Sequence, residues 1–462
     1  MTLDLSGFPN GGPRSLAVFD LIAKAIETGD LAPGERLPSQ RWLAEQLGVA
    51  LGTVTRAYRK AGERGLIRGE AGRGSFVTWT RRRQSDENFP RAPSDHLIDL
   101  ARNRPVAVPE EKDIWQATFE WMARNSDLAA RLRGGDRAPS SSLAVAGRRW
   151  LARLGWEMPE TRIVGCHGVG AALDAVLGVG GRPGQGLAMA ASSHPAVVRR
   201  VMEHGLTPVP LREDAEGVLP QSLEDACSES KPGLVLLEPT LGDPTTRLAS
   251  GYRREQLATV ARDHDLSVIE LDGNLHLLDE RLPTVSRLVP ERAFFIADTR
   301  FALSASVRVA FVASPESVHE RIAAAAAARS GLATALAGEV VGGWIDSGVA
   351  DDLTSARRRE LSARHAIVLG ALGDRGLLSH PAAHQAWLHL PRGRRSELFV
   401  YRAEQAGVAI TDGAWFRLPG TQAGEAVRIC YGNAIDRGSL SRAMEPLRLL
   451  LEEDRRSGPP LL

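Results

Sequence analysis

The sequence predicts two dissimilar parts: a small, mostly helical N-terminal module closed by a β-hairpin, and a large α/β body with a smaller α+β C-terminal subdomain. Three observations carry this expectation. A chain of 462 residues exceeds one ordinary domain. Residues 1–78 hold three helical periodicities and two short strands, punctuated by Gly and Pro. From His96 onward short apolar runs alternate with helical stretches, as in a sheet covered by helices on both faces.

The module is read in order. Leu16, Phe19, Ile22, Ala23 and Ile26 recur at helical spacing, and Gly29 stops the run. Pro33-Gly34 makes a turn, and Pro38-Ser39 caps a second helix with Leu43, Ala44 and Leu47 on one face. Gly48 ends it. A third helix runs from about Leu51 to Glu63, and Gly65 ends that. Leu66–Ile67 and Ser75–Val77 read as strands around a Gly/Arg tip that holds Arg68 and Arg73. On the third helix Val54, Ala57, Tyr58 and Ala61 share one face; Thr53, Arg56 and Lys60 share another, with Arg59 nearby. One face can dock on its own domain while the other presents donors, the division a helix needs to enter a DNA major groove. A basic face that is merely solvated is the plain alternative.

Residues 79–95, with Arg81-Arg82-Arg83 and two prolines, read as a linker. The body then spans 96–462. Its expected strands are Ile163–Cys166, Leu187–Ala190, Thr207–Leu211, Leu234–Leu237, Val268–Leu271, Phe294–Ile296 and Val307–Val312. Ala386–Leu390, Val408–Thr411 and Val427–Tyr431 belong to the smaller part. The expected division is a large subdomain over about 150–345, and a small one from 96–149 together with 346–462.

Composition narrows the class. No apolar run is long enough to cross a bilayer, and Met1–Pro13 lacks a secretory pattern, so a cytoplasmic protein is expected. Cys166, Cys227 and Cys430 make neither a metal spacing nor a disulfide framework. The formal net charge is +1, yet residues 1–84 carry about five net positive charges. A basic end on a near-neutral body points to nucleic acid at that end. Lysine occurs only at Lys24, Lys60, Lys112 and Lys231.

The run from Leu31 to Lys60, with Pro33-Gly34, Leu37-Pro38-Ser39 and Gly52-Thr53-Val54, followed by Gly65-Leu66-Ile67 and Gly72–Val77, resembles the winged helix-turn-helix of the GntR superfamily. The resemblance implies a double-stranded DNA operator as partner. It implies contacts from Arg41 at the start of the second helix, from Thr53 on the third, and from the wing. The family usually carries an arginine just before Gly-Thr-Val; here stands Leu51, which offers apolar contact, as to a thymine methyl, instead of a guanine-reading fork.

The body is similar to class I aminotransferases of fold type I, and the order of the two parts is that of the MocR-type subfamily of GntR regulators. The anchors are Gly168–Leu173, Pro239–Thr245, Arg253-Arg254, Val268–Asp272, Val307–Val312 and Val427-Arg428-Ile429. The resemblance implies pyridoxal phosphate (PLP) held on a lysine, with a carboxylate on the ring nitrogen, Asn and Tyr on the ring hydroxyl, and amides, hydroxyls and an arginine on the phosphate. A second arginine would bind a substrate carboxylate. On this sequence the lysine position is Phe301, after Asp298-Thr299-Arg300. Asp298 replaces a phosphate-binding hydroxyl. Leu271 replaces the ring carboxylate, with Asp272 one step away, and Gly273 replaces the tyrosine. Asp243 replaces the Asn, and His194 the stacking aromatic. Gly168, Val169 and Gly170 at a helix start, Arg308 for phosphate and Arg428 for a carboxylate remain.

An imine needs a primary amine, and a guanidinium, always protonated, is no substitute. The expectation is therefore a pseudoenzyme: no catalytic residue, no metal, no cofactor, and covalent attachment of PLP ruled out by the missing lysine. The expected function is a sequence-specific, PLP-free regulator, in which a homodimerising body senses an anionic small molecule. The alternative is a PLP-dependent MocR-type regulator, or an aminotransferase that retains cofactor binding. Plainer roles stand beside the site roles. Arg308, inside an apolar strand, could pair with Asp298 or Asp272; His194 could be a satisfied loop histidine.

Overall fold

The computed structural model describes residues 14–28, 31, 36–63, 66–70, 74–77, 97–124, 127–128, 132, 141–329, 331–373, 375–392, 394–421 and 424–456. The chain divides into two compact units, Met1–Ala92 and Pro93–Leu462. The expected linker over 79–95 and the expected wing residue Arg73 lie outside the described residues.

In the first unit, helices α1 (Arg14–Thr28), α2 (Gln40–Gln46) and α3 (Leu51–Glu63) precede a hairpin of β1 (Ile67–Glu70) and β2 (Gly74–Val77), antiparallel with Ile67 opposite Val77. None of these helices is long enough to be stable alone, so their shared apolar faces hold them. Val18, Phe19, Ile22, Leu31, Leu37, Leu43, Val54, Ala57, Tyr58, Ile67 and Val77 form one buried cluster. Ser39 caps α2, its Oγ accepting from the Trp42 N–H at 3.2 Å. Gly48, at φ 60°, makes the left-handed turn between α2 and α3. The Tyr58 hydroxyl donates to the Pro38 carbonyl at 2.7 Å and ties α3 to the entry of α2.

The second unit opens with β3 (Ile98–Asp99) and is centred on seven strands: β4 (Ile163–Cys166), β5 (Gly186–Ala190), β6 (Thr207–Leu211), β9 (Leu234–Leu237), β10 (Ser267–Asp272), β11 (Ala293–Asp298) and β12 (Ala310–Ala313). A short hairpin, β7 (Glu213–Asp214) with β8 (Gly217–Val218), sits between β6 and β9 in the chain. The sheet order is β4-β12-β11-β10-β9-β5-β6. β12 is antiparallel to both neighbours, and all other neighbouring pairs are parallel. β4, β9, β11 and β12 are buried along their whole length, which is why they read as unbroken apolar runs.

The expected strand Val307–Val312 is corrected. Pairing begins at Ala310, because the backbone at Arg308 turns through φ 44° and breaks the extended run. The subdomain boundary near residue 150 is also corrected. Helix Ser141–Ala152 packs on the large sheet: a Cβ at Gly147 would meet Phe311 and Ile163 within 2.8 Å, and one at Gly165 of β4 would meet Leu143 at 2.7 Å or less. Those two glycines let the helix lie against β4, so the helix belongs to the large part.

The smaller part holds a four-stranded antiparallel sheet, order β13-β14-β17-β16, from β13 (Leu377–Leu378), β14 (Ala386–His389), β16 (Thr411–Asp412) and β17 (Ala426–Ile429). The expected strand Val408–Thr411 splits: β15 (Val408–Ala409) runs parallel to β3, and the chain changes partner at Ile410. β17 ends at Ile429 rather than Tyr431, where a 3-10 turn, Tyr431–Asn433, begins. Helix Val349–Leu372 packs against helix Arg437–Arg456.

Candidate functional site

Two regions gather the candidate residues, one in each unit. In the first unit Arg41 is exposed at the start of α2, and Leu51, Gly52, Thr55, Arg56 and Arg59 form the exposed face of α3. The buried stripe is Thr53, Val54, Ala57, Tyr58 and Ala61. The wheel that joined Thr53 and Lys60 to Arg56 is thus corrected. Thr53 turns inward at 9% exposure, and the half-buried Lys60 lies with its Nζ 5.1 Å from the centre of the Phe19 ring. The stripe is one position wider than the apolar residues alone suggest, because a threonine methyl packs as well as a small aliphatic group. Arg68 lies in β1, and its side chain is not among the described ones. The wheel missed Thr55, whose hydroxyl donates to Gln40 Oε1 at 2.8 Å and so fixes the start of α2 against α3. Its signal was available: it stands four residues after Leu51.

In the second unit the candidates cluster at the carboxyl ends of the parallel strands, where open α/β sheets bind ligands. His194 follows β5, Asp243 follows β9, Asp272 ends β10, and Asp298, Arg300 and Phe301 stand at or just after the end of β11. Gly168 starts the helix after β4, and Arg308 precedes the antiparallel β12 at the same edge.

Asp243 and Arg428 meet directly. Arg428, fully buried on β17, places Nη1 at 2.7 and 2.8 Å from the two Asp243 oxygens and donates from Nη2 to the Ala101 carbonyl at 2.9 Å. Its guanidinium carbon lies 4.6 Å from the centre of the Phe416 ring. Asn103 donates to Asp243 Oδ2 at 3.3 Å and to Gln385 at 3.1 Å. The carboxylate that Arg428 was expected to take from a ligand is here supplied by the chain itself. Burial pushes the Asp243 carboxyl up, but the Arg428 charge and hydrogen bond outweigh it, so the group is held below the usual range.

His194 caps helix Pro195–Glu203, its Nδ1 accepting from the Ala196 N–H at 3.1 Å. Burial pushes its pKa down to about 4, helped by Arg428, Arg300 and Arg199 and opposed by Asp243. The folded protein keeps this imidazole neutral while the unfolded chain takes up a proton below about pH 6.5. Stability should therefore fall as pH drops from about 6.5 toward 4, by at most about 3 kcal/mol from this group, and level off below. Urea unfolding across that window checks it; His194→Asn, which keeps a cap acceptor, should flatten the slope.

Around Phe301 three side chains form a column. The Arg300 guanidinium carbon lies 4.2 Å from the ring centre, and the His384 ring stacks on Phe301 at 4.5 Å and 29°. Asp298 holds the column's outer end, accepting from the Arg300 N–H at 3.0 Å and pairing with its Nε at 3.4 Å. A Cβ at Gly273 would already lie 3.3 Å from Phe301 and 3.4 Å from Asp298. Neither His384 nor Phe416 was visible in the sequence, because each lies far along the chain from its partner.

Asp272 is buried at the end of β10 and uses one oxygen as a cap. Its Oδ1 accepts from the Asn274 and Leu275 N–H groups at 2.9 and 2.7 Å and caps the turn Leu275–Leu277. Leu271 belongs to the apolar cluster with Ala172, Leu173, Ile296 and Val312. Gly168, at φ 74°, and Arg308 are neighbours: a Cβ on Gly168 would sit 3.8 Å from that of Arg308. Arg308 is exposed and, among the described residues, makes no ion pair, so its expected pairing with Asp298 or Asp272 does not form. Val169 and Gly170 continue the first turn of the helix, and the Arg200 guanidinium, paired with Asp174, crosses closest to Gly170.

Lys112 and Lys231, the two lysines of this unit, are both exposed, and Lys231 precedes β9 at the opposite edge of the sheet. The helix start at Gly168 and Arg308 stand beside each other, Arg300 and His384 pack on Phe301, and Asp243 pairs with Arg428. Among the described residues no group of His, Cys, Asp or Glu is placed to hold a metal ion, and no helix is long and apolar enough to cross a membrane.

Comparison with known proteins finds likenesses for both units. Residues 14–77 match the family of bacterial regulatory proteins of the gntR type. The chain is 26% identical over 445 residues, 96% of its length and 95% of the relative's, to YdeF of Bacillus subtilis (strain 168), an uncharacterized HTH-type transcriptional regulator. It is 23% identical to PtsJ of Salmonella typhimurium, a vitamin B6 salvage pathway transcriptional repressor, over 88% of this chain and 91% of that one. Among solved structures, the α-aminoadipate aminotransferase LysN of Thermus thermophilus superposes with a TM-score of 0.70 at 19% identity, covering 79% of this chain and 94% of LysN. The fold and the N-terminal site thus define a DNA-binding transcriptional regulator with an aminotransferase-like body. Its architecture is that of the MocR-type regulators: a GntR-family domain followed by a fold type I aminotransferase-like domain.

Proposed function

We propose that this regulator binds its operator in a sequence-specific way and that its aminotransferase-like body has no aldimine chemistry, serving as a dimerisation module that senses an anionic small molecule. The observation that carries the reading is the Arg300–Phe301–His384 column at the position where the resemblance requires a lysine amine. A benzyl group cannot form an imine, and both lysines of this unit, Lys112 and Lys231, are exposed. A dimer places two recognition helices on two half-sites, and a ligand alters DNA affinity only by binding two arrangements of the protein unequally.

The test is direct. Full-length protein incubated with PLP and treated with borohydride should show no mass gain and no yellow chromophore. A borohydride-stable adduct on any lysine rejects the pseudoenzyme reading. Thermal melting with dicarboxylates, amino acids, nucleotides and vitamers then identifies the effector, because a ligand of the folded state raises the melting temperature. The role of PtsJ as a vitamin B6 salvage pathway repressor favours a second reading, a B6 phosphate held without a covalent bond at the Gly168 helix start beside Arg308. A melting shift with PLP that persists without any adduct supports it.

A further inference from the structure

Besides the crevice, the molecule offers a small acidic pocket beside Glu213, Glu238 and Arg247, the exposed aromatics of helix Glu110–Arg124, and the exposed face of α3. The last carries an inference furthest. We infer that Leu51 selects thymine by its 5-methyl group in each half-site, and this rests on the reading of the first unit as the DNA-binding part.

Leu51 is the first residue of α3 and is 45% exposed, unlike every large apolar residue further along the helix, which is packed. It shares its exposed face with Thr55, Arg56 and Arg59. A recognition helix enters the major groove with its N-terminal residues against the base edges, so residue 51 meets bases while Arg56 and Arg59 lie further along the helix. The space around Gly52 is open: a Cβ built there would find no atom within 4 Å. The start of α3 is therefore slim, and its backbone can approach a base pair closely.

A leucine side chain has no donor or acceptor. The one major-groove feature that an apolar group distinguishes is the C5-methyl of thymine. Burying one methyl between leucine and base is worth about fourfold in affinity. An arginine at the same place would reach guanine O6 and N7 instead. Residue 51 thus sets which base the protein prefers at one position of the half-site.

The experiment begins with selection of duplexes from a random library by the full-length protein. Each thymine of the enriched half-site is then replaced in turn by deoxyuridine, which removes only the methyl. One position should weaken binding about fourfold in the native protein and not at all in Leu51→Ala. Leu51→Arg should move the selected base at that position to guanine. If no thymine is sensitive, or if Leu51→Ala keeps the same sensitivity, the inference is overturned while DNA binding stands. If no motif is enriched at all, the reading of the first unit fails and the inference fails with it. Leu51 is exposed, so both substitutions leave the core of the unit intact.

Discussion

Arg56→Ala is expected to weaken binding of the selected duplex roughly 10- to 100-fold, the effect of removing a base-reading arginine. Arg56 stands in the middle of the exposed face of α3, between Thr55 and the buried Ala57, and it projects away from the packed stripe. The loss should include loss of discrimination: the variant binds competitor DNA nearly as well as the selected site. Arg41→Ala, at the start of α2, should weaken all sequences alike and reduce the salt slope by about one, as a phosphate contact does. Fluorescence anisotropy at two salt concentrations separates the two behaviours. Unchanged affinity and specificity in Arg56→Ala would show that another face of the unit meets DNA.

The second large effect is on stability. Asp243→Ala strips the fully buried Arg428 of its carboxylate, and breaking a buried pair by removing one partner costs about 3–5 kcal/mol. Asp243→Asn should cost less, since the amide oxygen still accepts from the guanidinium. The double variant Asp243→Leu with Arg428→Met should recover most of the loss, because an apolar pair of similar volume needs no compensation. Urea midpoints for the three proteins decide the matter. A loss under about 1 kcal/mol in Asp243→Ala would mean that Arg428 finds another partner, such as a carboxylate from solution.

The sequence made the architecture legible where local rules act alone. The caps and stops at Ser39 and Gly48 fall where expected, and so do the all-apolar strands β4, β9 and β11, since burial on both faces leaves an unmistakable run. It failed where one backbone angle decides. The left-handed turn at Arg308 moved that arginine out of the strand and onto the surface, and no propensity foretells it. The candidate residues of the crevice do gather at one edge of the large sheet, but their partnerships were not readable. Asp243 and Arg428 looked like two independent losses and gains; only the folded arrangement of the two sheets brings them to 2.7 Å. Thr53 failed for a smaller reason: a threonine counts as polar on a wheel and packs as a methyl in a core.

The bond between β17 and the loop after β9 has a consequence for ligand binding. An anion that sought Arg428 would find the seat taken by an oxygen pair of the protein's own, and would bind there by evicting Asp243. Its apparent affinity would be lowered by the strength of that internal contact, and its arrival would loosen the junction between the smaller sheet and the larger one. Any ligand-driven response at this place would begin with the opening of a seam that the protein otherwise keeps shut.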